Sequence, residues 1–418
     1  MSVFLRCFRF LLITVIFGSV LIAAPSQKGK TKKAKKTKQA KVKVVDFQQK
    51  YMIPQVDPNR SFTKLLLSHK SLSLNTLPTH ISHSKGLYYV LDGSGNKVIL
   101  TIDPRIQSLV EKEVKSAKAH TTAVVLMNVE DGRILAFAGS SVSVPNPVLH
   151  TGYKVASLFK IVTAAAAVDF AKVELSRTVN FRGGLYELSL LNYKPDPTKD
   201  RKFMSLEEGL ARSINPLFAR IALQFLDHKL LAFYSDRFGF NWKFPSDFDL
   251  PISRGVVPSD SYDLARTSAG FGSIFFTPVH AAAMIGAIGN SGFLMVPKII
   301  DKVISKEGRI MYTFRPTVAS KVVTSESAYK LLHSMVSTHT IGTASRSFAN
   351  SEVRYQVSGK TGTLSIENPK GLLVSYAGVG PIHHPKYALA VFVVSPRNFA
   401  SRATSIARRI FEGLLYGN

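Results

Sequence analysis

Ser157-Leu-Phe-Lys160-Ile-Val-Thr-Ala-Ala-Ala-Ala-Val168 carries apolar residues around almost every side of a helix and a single lysine near its start. A helix apolar all round is a buried helix, so this stretch must lie inside a core with other elements wrapped on it. Working outward supplies those elements. Upstream, Ala123-Val-Val-Leu-Met-Asn-Val129 and Arg133-Ile-Leu-Ala-Phe-Ala-Gly139 flank Glu130-Asp-Gly132. Two apolar runs around a glycine turn read as a β-hairpin. Before it, Val98 to Ile102 reads as a strand, and Asp103-Pro104 as the cap and first residue of a helix over Arg105 to Ala117. Helical segments are expected to fill most of 157–350. Val353 to Val357, Leu372 to Val379 and Tyr387 to Val394 then return to strand pattern, and Ser401 to Leu415 closes as an amphipathic helix. Strands from both ends of the chain around a helical middle predict an α+β protein, one antiparallel sheet with helices packed on it.

The lysine in the buried helix requires a reason. Ser157 and Lys160 stand at i and i+3, on one face at the helix N-terminus. Apolar surroundings disfavour the ammonium form, and a second cation nearby depresses the amine further from its free value of about 10.4. A neutral amine beside a hydroxyl is a general base beside a nucleophile. The plain alternative is that Lys160 snorkels to the surface and Ser157 only caps the helix.

Two later stretches fit the same chemistry. Ser213-Ile-Asn215-Pro216 reads by itself as the start of an ordinary helix, with Asn at the cap and Pro at the first position, before the apolar run Leu217 to Leu226. Placed beside Ser157, the Ser213 hydroxyl can relay a proton and the Asn215 amide can bind a peptide carbonyl. Tyr355-Gln-Val-Ser-Gly-Lys-Thr-Gly-Thr-Leu364 alternates like a strand and sets Lys360 and Gly362 on one face. Gly362, lacking Cβ, would let an extended peptide approach the strand edge. A backbone N–H there, together with that of Ser157, can form an oxyanion hole. The ordinary reading is a glycine kink with an exposed lysine.

The three motifs occur in this order, 56 and then 147 residues apart. In that order and spacing the chain resembles the penicillin-binding proteins, the serine D,D-transpeptidases of bacterial cell walls, over roughly residues 99 to 418. Thr277-Pro278, Ile288-Gly-Asn290-Ser-Gly292, Gly342-Thr343-Ala344 and Val374-Ser-Tyr-Ala-Gly378 look like that family too. The resemblance implies its fold, an antiparallel sheet packed with helices plus a helical subdomain. It implies Ser157 as acylated nucleophile, Lys160 as its base, and Ser213 and Asn215 as relay and substrate clamp. Lys360 would supply positive charge and, with Thr361 and Thr363 on its strand, bind the substrate carboxylate, Gly362 between them would admit the extended substrate, and the amides of Ser157 and Thr363 would form the oxyanion hole. The implied reaction cleaves the D-Ala-D-Ala bond of a peptidoglycan stem peptide through an acyl-serine and passes the acyl group to a neighbouring amine, with β-lactams as mimics. The chain departs from the pattern where Lys154 precedes the first motif and in its short lead-in region. A class D-like β-lactamase is an alternative, supported by Ala156 to Ile161 and Phe238-Gly-Phe-Asn241 and opposed by Asn215. A D,D-carboxypeptidase and a non-catalytic penicillin-binding sensor or scaffold are others.

Composition bounds the rest. With 418 residues, 45% hydrophobic, a large core is expected. Phe10 to Ala24 is a 15-residue apolar run preceded by Arg6 and Arg9, read as a signal peptide or membrane anchor over 1–27. Either reading sends the body out of the cytoplasm, to the outer face of the cytoplasmic membrane. The single cysteine, Cys7, precedes the run, so no intrachain disulfide can form. Lys28 to Lys43 holds nine lysines and no acid, a solvated linker over 28–45 that can adhere to anionic lipid or an anionic wall polymer. Those lysines run against the positive-inside rule, so an outward body rests on the motifs. A lead-in region over 46–98 and a transpeptidase domain over 99–418 complete the expected division. The remaining 43 basic against 27 acidic residues leave the body positive, yet no nucleic-acid-binding signature accompanies the charge. No metal or other cofactor is expected: the 11 histidines form no HExxH pattern, and His383-His384 falls in a turn.

Overall fold

Thr121–Asn128 (β1) is buried on both faces, the mark of a strand in the middle of a sheet covered on two sides. Its neighbours in the computed structural model are Ile134–Ser141 (β2) on one side and Tyr387–Ser395 (β5) on the other. Ser358–Glu367 (β3) and Lys370–Gly380 (β4) complete a five-stranded antiparallel sheet in the order β3-β4-β5-β1-β2. The structure describes residues 82–84, 86–367, 370–396 and 402–417, all within one compact unit, Ile53–Asn418. The apolar leader, the Lys28 to Lys43 strip and most of the lead-in region lie outside the described residues.

Alternation along the strands sorts the core into two layers. Ala123, Val125 and Met127 of β1 join one cluster with Leu158, Phe159, Ala281 and Ile285. Val124 and Leu126 join a second cluster with Val110, Ile406 and Ile410. The first layer holds the buried helix Lys160–Ala165 (α2) and Pro278–Gly289 (α4), apolar but for His280 and capped by Thr277. The second holds Pro104–Ser116 (α1) and Ala403–Leu415 (α5), joined by Arg409 and Glu113 at 2.6 Å. Asp103 caps α1 as expected, accepting from the Arg105 and Ile106 amides. One turn on, the Gln107 side chain donates to Phe137 O at 2.8 Å and accepts from Phe137 N at 3.0 Å. A side-chain amide thus stands in for a strand along the outer edge of β2.

The hairpin, the two closing strands and the last helix fall where expected. The helical middle does not hold throughout. Thr178–Phe181 pairs with Lys202–Ser205, Ile274–Phe276 with Tyr153–Lys154, and Phe293–Met295 with Val318–Lys321. Runs of two to four residues are too short to display an alternation. The strand expected over Val353 to Val357 is instead a 3-10 turn, Glu352–Tyr355, and β3 starts at Ser358. Val353 and Val357 are both buried, and a spacing of four fits one face of a turn as well as one face of a strand. Leu87–Leu91 and Lys97–Leu100 pair with each other, and Lys97–Leu100 pairs with Ile300–Ile304, so the expected division at 98/99 falls inside a strand of a second sheet.

Candidate active site

Ser157 lies in a single 3-10 turn, Ala156–Phe159, that leads into α2. Side chains three apart eclipse in a 3-10 turn, which brings Ser157 and Lys160 closer than an α-helix would. Lys160 Nζ is 2.9 Å from Ser157 Oγ. Ala156 has φ +48, the left-handed region that a side chain rarely adopts. Gly270, at φ +97, backs this turn: a Cβ there would sit 2.2 Å from Ala156 O, so no other residue fits.

Lys160 has no exposed surface. Its amine also contacts Asn215 Oδ1 at 2.7 Å and Ala269 O at 2.6 Å, and every one of these partners is a neutral oxygen. Burial, and then the charge of Lys360, hold its pKa well below the ordinary lysine value. A neutral amine has two hydrogens and one lone pair. With the hydrogens directed to Asn215 Oδ1 and Ala269 O, the lone pair faces the Ser157 hydroxyl, the arrangement of a base taking that proton.

Ser213 and Asn215 stand both at the start of a helix and on the wall of the cleft. Asn215–Phe225 (α3) begins there with Pro216 in its first turn, while Ile214, not Asn215, occupies the cap position. Ser213 takes φ +60 to make the bend. Asn215 has part of its amide already committed: Nδ2 donates to Tyr186 O at 2.6 Å, and Oδ1 accepts from Lys160.

Lys360 comes from β3, an edge strand, and it too has no exposed surface. Its amine donates to Thr361 O at 3.0 Å, and burial lowers its pKa to about 7. The exposed lysine of the ordinary reading is therefore excluded. Gly362 is favoured by packing as well: a Cβ would lie 2.4 Å from Ser375 Oγ, which would have to move, and in contact with the Ser157 turn at 3.4 Å from Ala156 Cβ. The Thr361 hydroxyl meets that of Thr343 at 2.5 Å.

A cleft of about 830 Å³ opens over this group. Ser157, Ser213, Asn215, Thr361, Gly362 and Thr363 line it, while Lys160 and Lys360 lie beneath. All eight sequence-predicted residues thus gather at one place. Tyr186, Phe271, Arg402 and Thr404 also line the cleft and were not anticipated, because none carries a motif. Among the described residues, no group of three or more His, Cys, Asp or Glu could hold a metal ion, and no helix is long and apolar enough to cross a membrane.

Residues 122–415 match the family described as penicillin binding protein transpeptidase domain, and the chain belongs to it. Among similar proteins, Stage V sporulation protein D of Bacillus subtilis is 26% identical over 360 residues, 78% of this chain and 54% of that one. Peptidoglycan D,D-transpeptidase FtsI of Escherichia coli K12 is 26% identical over 346 residues, 78% of this chain and 56% of that one. The chain thus spans about half the length of the curated relatives it matches. Among solved structures, PBPA from Mycobacterium tuberculosis shares the fold at TM-score 0.65 and 24% identity, over 77% of this chain and 83% of that one. An imipenem acyl-enzyme complex of penicillin-binding protein A from the same organism matches at TM-score 0.64 and 25% identity, over 77% and 80% of the two chains. The α+β fold, an antiparallel sheet with helices, is that of penicillin-binding transpeptidase domains.

Proposed function

We propose that this protein is a penicillin-binding peptidoglycan D,D-transpeptidase. The observation that carries the reading is the Ser157 hydroxyl 2.9 Å from a fully buried lysine amine whose other partners are neutral oxygens, at the floor of a cleft edged by β3. Ser157 Oγ attacks the carbonyl carbon of the penultimate D-Ala of a stem peptide while Lys160 takes its proton. The amides of Ser157 and Thr363 hold the oxyanion. Collapse breaks the D-Ala-D-Ala bond, and the proton passes by way of Ser213 to the departing amine. An amine of a neighbouring strand then attacks the acyl-serine, forms the cross-link and returns the proton through the same groups. Asn215 orients the Lys160 amine and contacts the substrate, and Lys360, Thr361 and Thr363 bind its terminal carboxylate, whose charge favours the ammonium form of Lys360.

In this reading residues 99–418 form the transpeptidase domain, 46–98 the lead-in, whose last strand, Lys97–Leu100, continues into that domain, 28–45 the lysine-rich linker and 1–27 the signal or anchor that holds the body at the outer face of the cytoplasmic membrane. Lys28 to Lys43 is the strip that meets anionic lipid or wall polymer. The test is incubation of the purified protein with a fluorescent penicillin. Stable label that disappears in Ser157→Ala is the expected result. Rapid loss of label makes the protein a β-lactamase, and no label at all makes it a scaffold.

A further inference from the structure

Between the paired strands Thr178–Phe181 and Lys202–Ser205 runs an excursion of twenty residues, 182–201, without helix or strand. It reaches the cleft at Tyr186. Two arginines replace the missing ladder. Arg182 donates to Leu191 O at 2.7 Å and to Lys194 O at 3.3 Å. Arg220 donates to Asn192 O at 2.8 Å and to Tyr193 O. Four consecutive loop carbonyls are thus held by two guanidiniums, and both guanidiniums meet on Asp200, Arg182 at 2.9 Å and Arg220 at 3.1 and 3.2 Å. Arg220 has no exposed surface and the Asp200 side chain is 4% exposed.

Arg220 belongs to α3, the helix that begins with Asn215. The loop therefore docks on one helix twice, at Arg220 and again at Asn215, where Asn215 N donates to Leu185 O at 2.9 Å and Asn215 Nδ2 to Tyr186 O at 2.6 Å. Tyr186 O fixes which way the Asn215 amide faces, and Asn215 Oδ1 is one of the two acceptors that turn the Lys160 lone pair towards Ser157. We infer that Arg220 is a positioning residue for this site: through Asp200 and the carbonyls of 192 and 193 it holds the loop where Tyr186 O locks the Asn215 amide, and so sets the direction of the Lys160 amine. This rests on the reading of Ser157 and Lys160 given above.

The test uses the full chain and two variants, Arg220→Lys, which cannot form the fork of contacts, and Asp200→Asn, which keeps the volume. Circular dichroism checks folding. Two quantities are measured: the saturating rate of acylation by a fluorescent penicillin against pH, and the exchange protection of the Asn215 side-chain amide in 15N-labelled protein. The saturating rate should fall at least about tenfold in Arg220→Lys, as misplacement of a reacting group does. The midpoint of the pH profile should move down, because a loosened Asn215 Oδ1 no longer favours the ammonium form of Lys160. Lys360 is the charged group that acts on that amine, and neither variant alters it. Asn215 protection should fall at least about tenfold in both variants. Variants that melt earlier yet keep the wild-type rate, midpoint and protection overturn the inference. If Arg220→Lys does not fold, Asp200→Asn decides. If the wild type is not acylated at Ser157, the reading of the active site is lost, and Asn215 protection alone decides the role of Arg220.

Discussion

Two helices, α2 and α3, each carry one cation into the core, and the two cations are treated in opposite ways. Arg220 in α3 is met by a carboxylate, Asp200, and by two backbone carbonyls. Lys160 in α2 meets a hydroxyl, an amide oxygen and one carbonyl, with a second lysine close enough for its charge to matter. A buried charge with a counter-ion and full hydrogen bonding is structural. A buried amine denied a counter-ion gives up its proton, and that makes it reactive. The chemistry of the site therefore depends on what the fold withholds from Lys160.

The strongest challenge to this contrast is to remove the amine. Lys160→Met should lower acylation by a fluorescent penicillin about a hundred- to ten-thousandfold, while costing only about 1 kcal/mol in denaturant unfolding, since what leaves is a neutral amine and its few hydrogen bonds. Arg220→Met, measured the same way, should cost about 3 kcal/mol, because Asp200 loses its most buried partner. Equal costs for the two variants would erase the distinction. Next in size is the effect of the second lysine. Acylation of the wild type should rise with pH through the lowered pKa of Lys160, which must be deprotonated to act. In Lys360→Met the midpoint of that rise should move to higher pH, since a positive charge that depresses Lys160 has gone; an unmoved midpoint would mean that burial alone sets it. The smallest effect concerns packing. Gly362→Ala should cost about 1–3 kcal/mol from the collision with Ser375 Oγ, and Ser375→Gly in the same chain should recover part of it in thermal unfolding.

The same contrast explains what the sequence disclosed. Lys160 stood out because a single amine in an otherwise apolar helix has to be accounted for, and the motifs at Ser213 and Lys360 supplied its company. Arg220 presents the same signal within Leu217 to Leu226, where it is the lone charge, yet an apolar reading of that run passes over it. Its partner, Asp200, lies in a loop tied by guanidinium-to-carbonyl contacts, which leave no periodicity to detect. The sheet was legible because β1 and β5 carry unbroken apolar runs, Ala123 to Met127 and Tyr387 to Val394. The short strands of the middle were not, and the turn at Glu352–Tyr355 shares its spacing of buried valines with a strand. Tyr186 acts through its backbone carbonyl, which any residue could provide, so no side-chain pattern marks it.

The amide of Gln107, laid along β2, has a consequence for how molecules of this kind meet one another. With Phe137 held by Gln107 and Leu135 O by the Asp103 amide, this stretch of the β2 rim is closed by the protein's own groups, and β3 is the rim that faces the cleft. Copies that could join rim to rim at both ends would polymerise; a sheet closed along this stretch of one rim offers an incoming peptide the berth at β3, beside Ser157.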